Sequence, residues 1–235
     1  MFIMCQSHTD DSTESLKLVL YDKTYTCPIC EEAFKAKSIR VGKNQLLTVD
    51  EDLYAHYAIV NPLLYDVITC PNCNYSATVK NFDKLLPRQK EWLQANLVSV
   101  FTHPISFGEY TSTEEAIHKH KLALLMAINK KSKIGEQSYL ALHIAWLYRD
   151  LGDEVNEKLF LQKAFTGFSE SLETETTPIL GLDEYTIMYI LAAIAFKLDE
   201  IDASKKFLSV LLTTSGLSSR IKDRALDLKN KLRNL

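Results

Sequence analysis

Four of the chain's five cysteines fall into two copies of one short pattern, Cys27-Pro28-Ile29-Cys30 and Cys70-Pro71-Asn72-Cys73. Two cysteines in a tight turn aim both sulfurs at one point while backbone N–H groups donate to the thiolates. Two such turns face to face supply the tetrahedral sulfur set that Zn²⁺ favours. A proline after the first cysteine prebends each turn. The residue after the second cysteine tends toward a left-handed backbone, which Asn74 tolerates better than Glu31. The reading is one structural Zn²⁺ on Cys27, Cys30, Cys70 and Cys73. Four sulfurs close the coordination shell, whereas a catalytic zinc keeps one position open and recruits histidine or carboxylate. A redox site needs a single C-x-x-C at a helix start after an apolar strand; Lys23-Thr24-Tyr25-Thr26 precedes the first pair instead. The stretch between the pairs exceeds the roughly 15–20 residues of the commonest ribbons. Closure entropy grows slowly with loop length, by about 0.6 kcal/mol per doubling, so hairpins of its own make that stretch tolerable. Lys35, Lys37, Arg40 and Lys80 lie near enough in sequence to offset the charge on the sulfurs. Cys5 has no partner at ligand spacing and reads as unligated.

The remaining polar candidates carry less. His118 and His120 are two apart, so on a helix they diverge and cannot share a metal; with Lys119 and Lys121 they read as a solvated face. His143, near Trp146, reads as packed or groove-lining, and His56, between Tyr54 and Tyr57, as a surface imidazole. No phosphate loop, nucleophile elbow, zinc-protease helix or dinucleotide glycine pattern is present. With no acid–base or nucleophile set legible, the chain reads as a non-enzyme.

These residues need elements to hold them. The 235-residue chain is 46% hydrophobic and 24% charged, with a net charge of −3, seven glycines and six prolines. That is the composition of a globular protein with ample core material and no global pull toward nucleic acid. No run approaches the roughly 20 apolar residues of a membrane span, and no targeting segment is visible, so a cytoplasmic protein is expected. Residues 1–20 read as a polar, loosely ordered lead-in. Residues 21–82 hold both cysteine pairs and short β-prone pieces at Ser38–Val41, Gln45–Val49 and Tyr65–Thr69. From 83 to 235 the pattern is helical. Helices are expected from Pro87 to about Phe101, from Ser112 with Glu115 in a capping box, and from about Glu136 to Leu151 before Gly152. A fourth follows from about Asp153 to Ser169. After a polar loop over 173–181 come Asp183–Leu198, Ile201–Thr213 and Leu217–Leu232. The second helix's apolar face is expected at Ile117, Leu124, Leu125 and Ile128.

Ile144-Ala145-Trp146-Leu147-Tyr148, then Gly152-Asp153 and Gln162-Lys163-Ala164, match the core of a tetratricopeptide pair, with Glu157 and Leu161 off pattern. Leu191-Ala192, Ala195, Ser204 and Leu208 repeat it loosely, with Asp199 in place of the turn glycine. The two turns lie further apart than the ~34-residue tetratricopeptide period. The fold class is therefore mainly α: a helical-repeat, tetratricopeptide-like domain, or a plain bundle, behind a small β-rich zinc-ribbon-like module. Stacked helix pairs leave a surface for a protein or peptide partner. The alternative is nucleic acid, on Lys35, Lys37, Arg40 and Lys43 or on Arg220, Lys222, Arg224, Lys229, Lys231 and Arg233.

The strings Tyr25-Thr26-Cys27-Pro28-Ile29-Cys30 and Asn61-Pro62-Leu63-Leu64-Tyr65-Asp66-Val67-Ile68-Thr69-Cys70-Pro71-Asn72-Cys73-Asn74-Tyr75, with Phe34 and Arg40, resemble the bacterial domain of unknown function 2225 family. The resemblance covers most of the chain after about Lys23. It implies a four-cysteine module joined to tetratricopeptide-like helices and no particular activity. The sequence departs from the family in having Asn74 where glycine is usual. It also has Tyr54 and Ala55, with no cysteine, in the stretch where a fifth cysteine ligand would stand.

Overall fold

The computed structural model describes residues 14–98, 101, 103 and 105–234. Cys5 and Pro104 lie outside them. Residues 14–19 form helix α1, and Val19 at its end is fully buried. The described end of the polar lead-in is thus part of the fold. Three antiparallel two-stranded hairpins follow: β1 (Leu20–Thr26) with β2 (Ala33–Ile39), β3 (Leu46–Val49) with β4 (Ala55–Tyr57), and β5 (Val67–Thr69) with β6 (Ser76–Thr78). A 3-10 turn over Pro62–Tyr65 leads into β5. Asn61 caps it by accepting from the Leu63 N–H at 3.0 Å.

Two β-prone pieces are placed differently from expectation. β2 begins at Ala33 and stops at Ile39; Val41 stands 99% exposed beside Gly42, whose φ of 74° turns the chain. Tyr65 is spent in the 3-10 turn, so β5 starts only at Val67.

The helices are α2 (Pro87–Asn96), α3 (Thr113–Asn129), α4 (Ile134–Asp150), α5 (Glu154–Thr174), α6 (Glu184–Lys197), α7 (Ile201–Thr213) and α8 (Ser219–Arg233). The protein is mainly helical with a small N-terminal strand region. The Ser112/Glu115 capping box forms in both directions. α2 stops at Asn96, short of Phe101, because Leu97 leaves helical geometry. Three helix ends close alike: Lys131, Gly152 and Asp199 take left-handed φ of 53°, 69° and 61°. In each, the following N–H reaches back to a carbonyl of the last turn, at Ala127, Tyr148 and Ala195. Such a cap satisfies carbonyls that the helix cannot.

α4 and α6 are apolar nearly all round, with Leu140 to Tyr148 and Tyr189 to Ala195 buried without interruption. A helix of that kind belongs at the centre of its domain. α5 approaches α4 so closely that Gly167 meets the Ser138 hydroxyl with no room for a side chain.

α3 is set differently from the expected face. Ala116, Ile117, His120, Ala123 and Ala127 turn inward, while Leu125 and Ile128 stand 40% and 52% exposed. The alanines allow close packing of α3 against α4 and the β5–β6 hairpin, and that close approach outweighs burial of the larger leucine and isoleucine.

A largely buried cation is central to the junction between the strand region and the helices. Arg149 on α4 meets Asp50 at 2.7 Å, Asp52 at 2.5 Å and Glu157 at 2.7 Å. Asp52, fully buried, also accepts from the Trp146 indole at 3.0 Å. Tyr54 stacks on Trp146 at 5.2 Å, and the Arg149 guanidinium lies 5.6 Å from the centre of the Tyr54 ring. The neighbouring carboxylates hold Arg149 above its already high ordinary range, against the cost of burial. Removing one partner of such a group strands a buried charge. Arg149→Met is expected to lower stability by about 3–5 kcal/mol, read from the shift of the urea unfolding midpoint.

Candidate metal centre

The two cysteine turns cap two of the hairpins, Cys27–Cys30 between β1 and β2 and Cys70–Cys73 between β5 and β6. They are built alike. The Cys27 N–H donates to the Glu32 carbonyl at 3.0 Å and the Cys70 N–H to the Tyr75 carbonyl at 2.8 Å. The Glu31 and Asn74 N–H groups return to the Cys27 and Cys70 carbonyls at 3.0 and 2.9 Å. Glu31 and Asn74 take φ of 65° and 62°, as the turn chemistry requires. Asn74 does more than tolerate this. Its buried side chain donates to the His103 carbonyl at 3.1 Å and accepts from the Ile105 N–H at 2.8 Å, tying down the segment before α3. Glycine could not do that.

The turns bring together all four predicted sulfurs, within 4.8 Å of one another. Cys27 and Cys73 are 3.6 Å apart, as are Cys30 and Cys70. Sulfurs at the corners of a tetrahedron with ~2.3 Å metal–sulfur bonds lie about 3.8 Å apart. The set fits a four-coordinate metal ion. Cys27, Cys70 and Cys73 are buried, and the Ile29 N–H points at the Cys27 sulfur at 3.4 Å. With protons alone, the cluster shares charge unevenly. The hydrogen bond with Cys73 draws the Cys27 thiol down to about 5, against burial. Burial pushes Cys70 up to about 11, and the bond to Cys27, then burial, raises Cys73 strongly. A metal ion held by the four sulfurs would displace these protons and remove the asymmetry.

Beneath the sulfurs lies an apolar floor of Ile29, Ile68, Tyr75 and Phe82, closed by Leu93 from α2 and Met126 from α3. Phe82 sits at the centre of its rings, 5.2 to 5.9 Å from Tyr25, Phe34 and Tyr75. Three of the four basic residues expected to offset the sulfurs are engaged elsewhere, Arg40 with its guanidinium 5.2 Å from the centre of the Tyr21 ring. Lys37 is held by Asp22 and Glu109 at 3.0 and 3.2 Å, and Lys80 by the Leu180 carbonyl at 3.2 Å. Instead, Lys90 of α2 reaches Glu31 at the rim of the first turn, at 2.9 Å.

Among the histidines, His118 is exposed beside Phe107, and His143 is packed between Tyr139 and Trp146. His56 is half-exposed, bonded to Asp50 at 2.8 Å. His120 overturns the solvated-face reading: it is fully buried. Ala116, Ala123 and Ala127 share its stripe by three- and four-residue steps, and that stripe faces inward. Burial, then the nearby His143, draws His120 down to about 4. Sequence spacing missed that His120, His143 and Asp66 converge; the signal was only the run of alanines at helical spacing around His120.

Residues 20–232 match the family model described as "Uncharacterized protein conserved in bacteria (DUF2225)". The chain belongs to this family. An "Uncharacterized protein" of Borreliella burgdorferi is 23% identical over 161 residues, covering 59% of this chain and 57% of that protein. The chain thus spans little more than half the length of the curated relative it matches. No solved structure matches it. Membership extends across both the cysteine hairpins and the helices, so the two parts are features of one family architecture.

The left-handed turns give a paired prediction. Glu31→Gly, which relieves backbone strain and loses only an exposed ion pair, raises the melting temperature. Asn74→Gly relieves the same strain but loses two partly buried hydrogen bonds, and lowers stability by about 1–2 kcal/mol. Differential scanning fluorimetry of the metal-loaded protein reads both.

Proposed function

We propose that the chain is a non-enzymatic, cytoplasmic interaction protein in which Zn²⁺ on Cys27, Cys30, Cys70 and Cys73 holds the strand region together and the helices present a surface to a protein partner. The observation that carries the zinc reading is the four-sulfur shell. It is closed, mostly buried and built into two matching turns, which suits a structural ion and leaves no position for substrate. Thiolates also select Zn²⁺ over harder divalent ions. β5 and β6 have three residues each, and a two-stranded hairpin is at best marginal alone, so the ion supplies what the sheet cannot.

The helical part supports a tetratricopeptide-like reading in its α4–α5 and α6–α7 pairs. Both turn through a left-handed residue, Gly152 and Asp199, and small buried residues lie at the contacts: Ala145 and Ala164 in the first pair, Ala192 and Ser204 in the second. The Ser204 hydroxyl donates to the Ala192 carbonyl at 2.8 Å. The partner surface is the groove of about 480 Å³ between α3, α4 and α5, lined by Leu124, Ile128, Ile134, Ala141 and Leu159. Ile128 and Leu159 stand 52% and 51% exposed at its edges, and Gln137, Gln162 and Lys163 add polar groups. Such a groove suits an apolar segment of another protein, with its backbone met by the glutamines. Nucleic acid is less well supported, since Lys37 is neutralised by carboxylates, Arg224 donates to the Asp50 carbonyl and Lys231 is paired with Glu51.

Two measurements test this reading. Elemental analysis of the purified chain finds zinc, and Cys27→Ser or Cys70→Ser releases the four-sulfur ion and abolishes the near-ultraviolet signal of the Tyr25/Phe34/Tyr75/Phe82 cluster. Unchanged metal and spectra in these variants overturn it. Ile128→Asp with Leu159→Asp, both at exposed positions, leaves the helical circular dichroism intact. It lowers the affinity for captured partners by at least tenfold against wild type; partners retained equally by both proteins do not use the groove.

A further inference from the structure

Asp66, His120 and His143 come from three elements: the turn into β5, α3 and α4. One ligand-capable atom of each lies within 4.8 Å of the other two. Each of these side chains also carries one buried polar atom with no hydrogen-bond partner among the described residues: Asp66 Oδ2, His120 Nε2 and His143 Nδ1. Buried polar atoms are normally paired, and an orphan costs about 1–3 kcal/mol. Apart from the 3.3 Å approach of Asp66 to His143, these atoms have no partner among the described residues, and side chains that converge in this way suit a common occupant.

The tautomer of His120 decides what kind. Its Nδ1 lies 2.8 Å from the Ala116 carbonyl, which can only accept, so Nδ1 carries the proton. Nε2 therefore presents a lone pair to the cluster. Asp66 presents another, on a carboxylate. Asp66 Oδ2 and His143 Nδ1 are 3.3 Å apart, a contact that is an ion pair only when the imidazole carries a charge. Neighbouring N and O ligands ~2.0–2.1 Å from a tetrahedral ion lie about 3.3–3.4 Å apart. His120 is held as metal-binding imidazoles usually are. The Ala116 carbonyl fixes His120 through its second nitrogen, and Tyr139 and Trp146 sandwich His143 with ring centroids 4.0 and 5.3 Å away. A carbonyl partner of this kind sets tautomer and orientation for His120, whereas the flanking rings fix only the position of His143.

We propose that Asp66, His120 and His143 form a second metal site, separate from the four sulfurs, for a divalent transition-metal ion of the Zn²⁺ type. Two imidazoles and one carboxylate suit borderline ions and exclude soft, thiolate-seeking ones. Three protein ligands leave a coordination position free for water or an anionic oxygen, in contrast to the closed sulfur shell. The ion would also pin the start of β5 to α3 and α4. This inference does not depend on what the sulfurs bind.

The full chain, stripped with chelator under reducing conditions and titrated with Co²⁺, tests it. Two equivalents are expected to bind. One brings thiolate-to-metal charge transfer in the near ultraviolet; the other brings visible ligand-field bands with no sulfur contribution. Cys27→Ser with Cys30→Ser removes the first signal and keeps the second, whereas Asp66→Asn with His143→Gln does the reverse. Zinc content falls from two ions per chain to one in either double variant. Should Asp66→Asn with His143→Gln lose its helical circular dichroism, the wild-type titration decides: a second, sulfur-free equivalent supports the site. Saturation at one equivalent with the sulfur band, as expected if water fills the cage, overturns it. So does a second equivalent that survives loss of Asp66 and His143. Absence of the sulfur band alone refutes the four-cysteine reading and leaves this one standing.

Discussion

Everything in the N-terminal part depends on bringing four sulfurs to one point from hairpins remote in the chain. Sulfurs 3.6 Å apart cannot all ionise without a cation between them, since like charges so close disfavour one another's charged forms. A bound cation would turn the same crowding into attraction, and its binding energy would become folding energy. The three-residue strands β5 and β6 are too short to impose this geometry by themselves. The turns impose it, through paired backbone hydrogen bonds and one left-handed residue each, and the aromatic floor under them fixes their spacing.

What was legible in the sequence was local. The cysteine spacing, the left-handed residues after each pair, the Ser112–Glu115 box and the stop at Gly152 all depend on a few neighbouring side chains, and each stands where its chemistry placed it. What escaped was non-local or disguised by small residues. Nothing in the order of residues says that Asp52 meets Arg149 or that Asp66 meets His143. Alanines carry little hydrophobic weight in a periodicity argument, so α3 was set with Leu125 and Ile128 inward. In the fold, close approach of backbones outweighed side-chain bulk, and His120 went inside with the alanines.

The same shift explains the groove beside α3. Turning the alanine stripe inward leaves larger apolar side chains outward, next to Leu159 on α5. Tight internal packing and an apolar outer surface are thus two outcomes of one helix orientation.

Arg149 bears on how such a chain can change over evolutionary time. Its guanidinium is satisfied by carboxylates on both sides of the junction, Asp50 and Asp52 from the β3–β4 hairpin and Glu157 from α5. A helical half grafted onto a foreign leader would keep the cation and lose two of its counter-ions; a strand half moved elsewhere would carry Asp52 inward with nothing to neutralise it. Recombination at this boundary is therefore penalised from either direction, and the two halves are expected to be inherited as a single unit rather than traded as interchangeable cassettes.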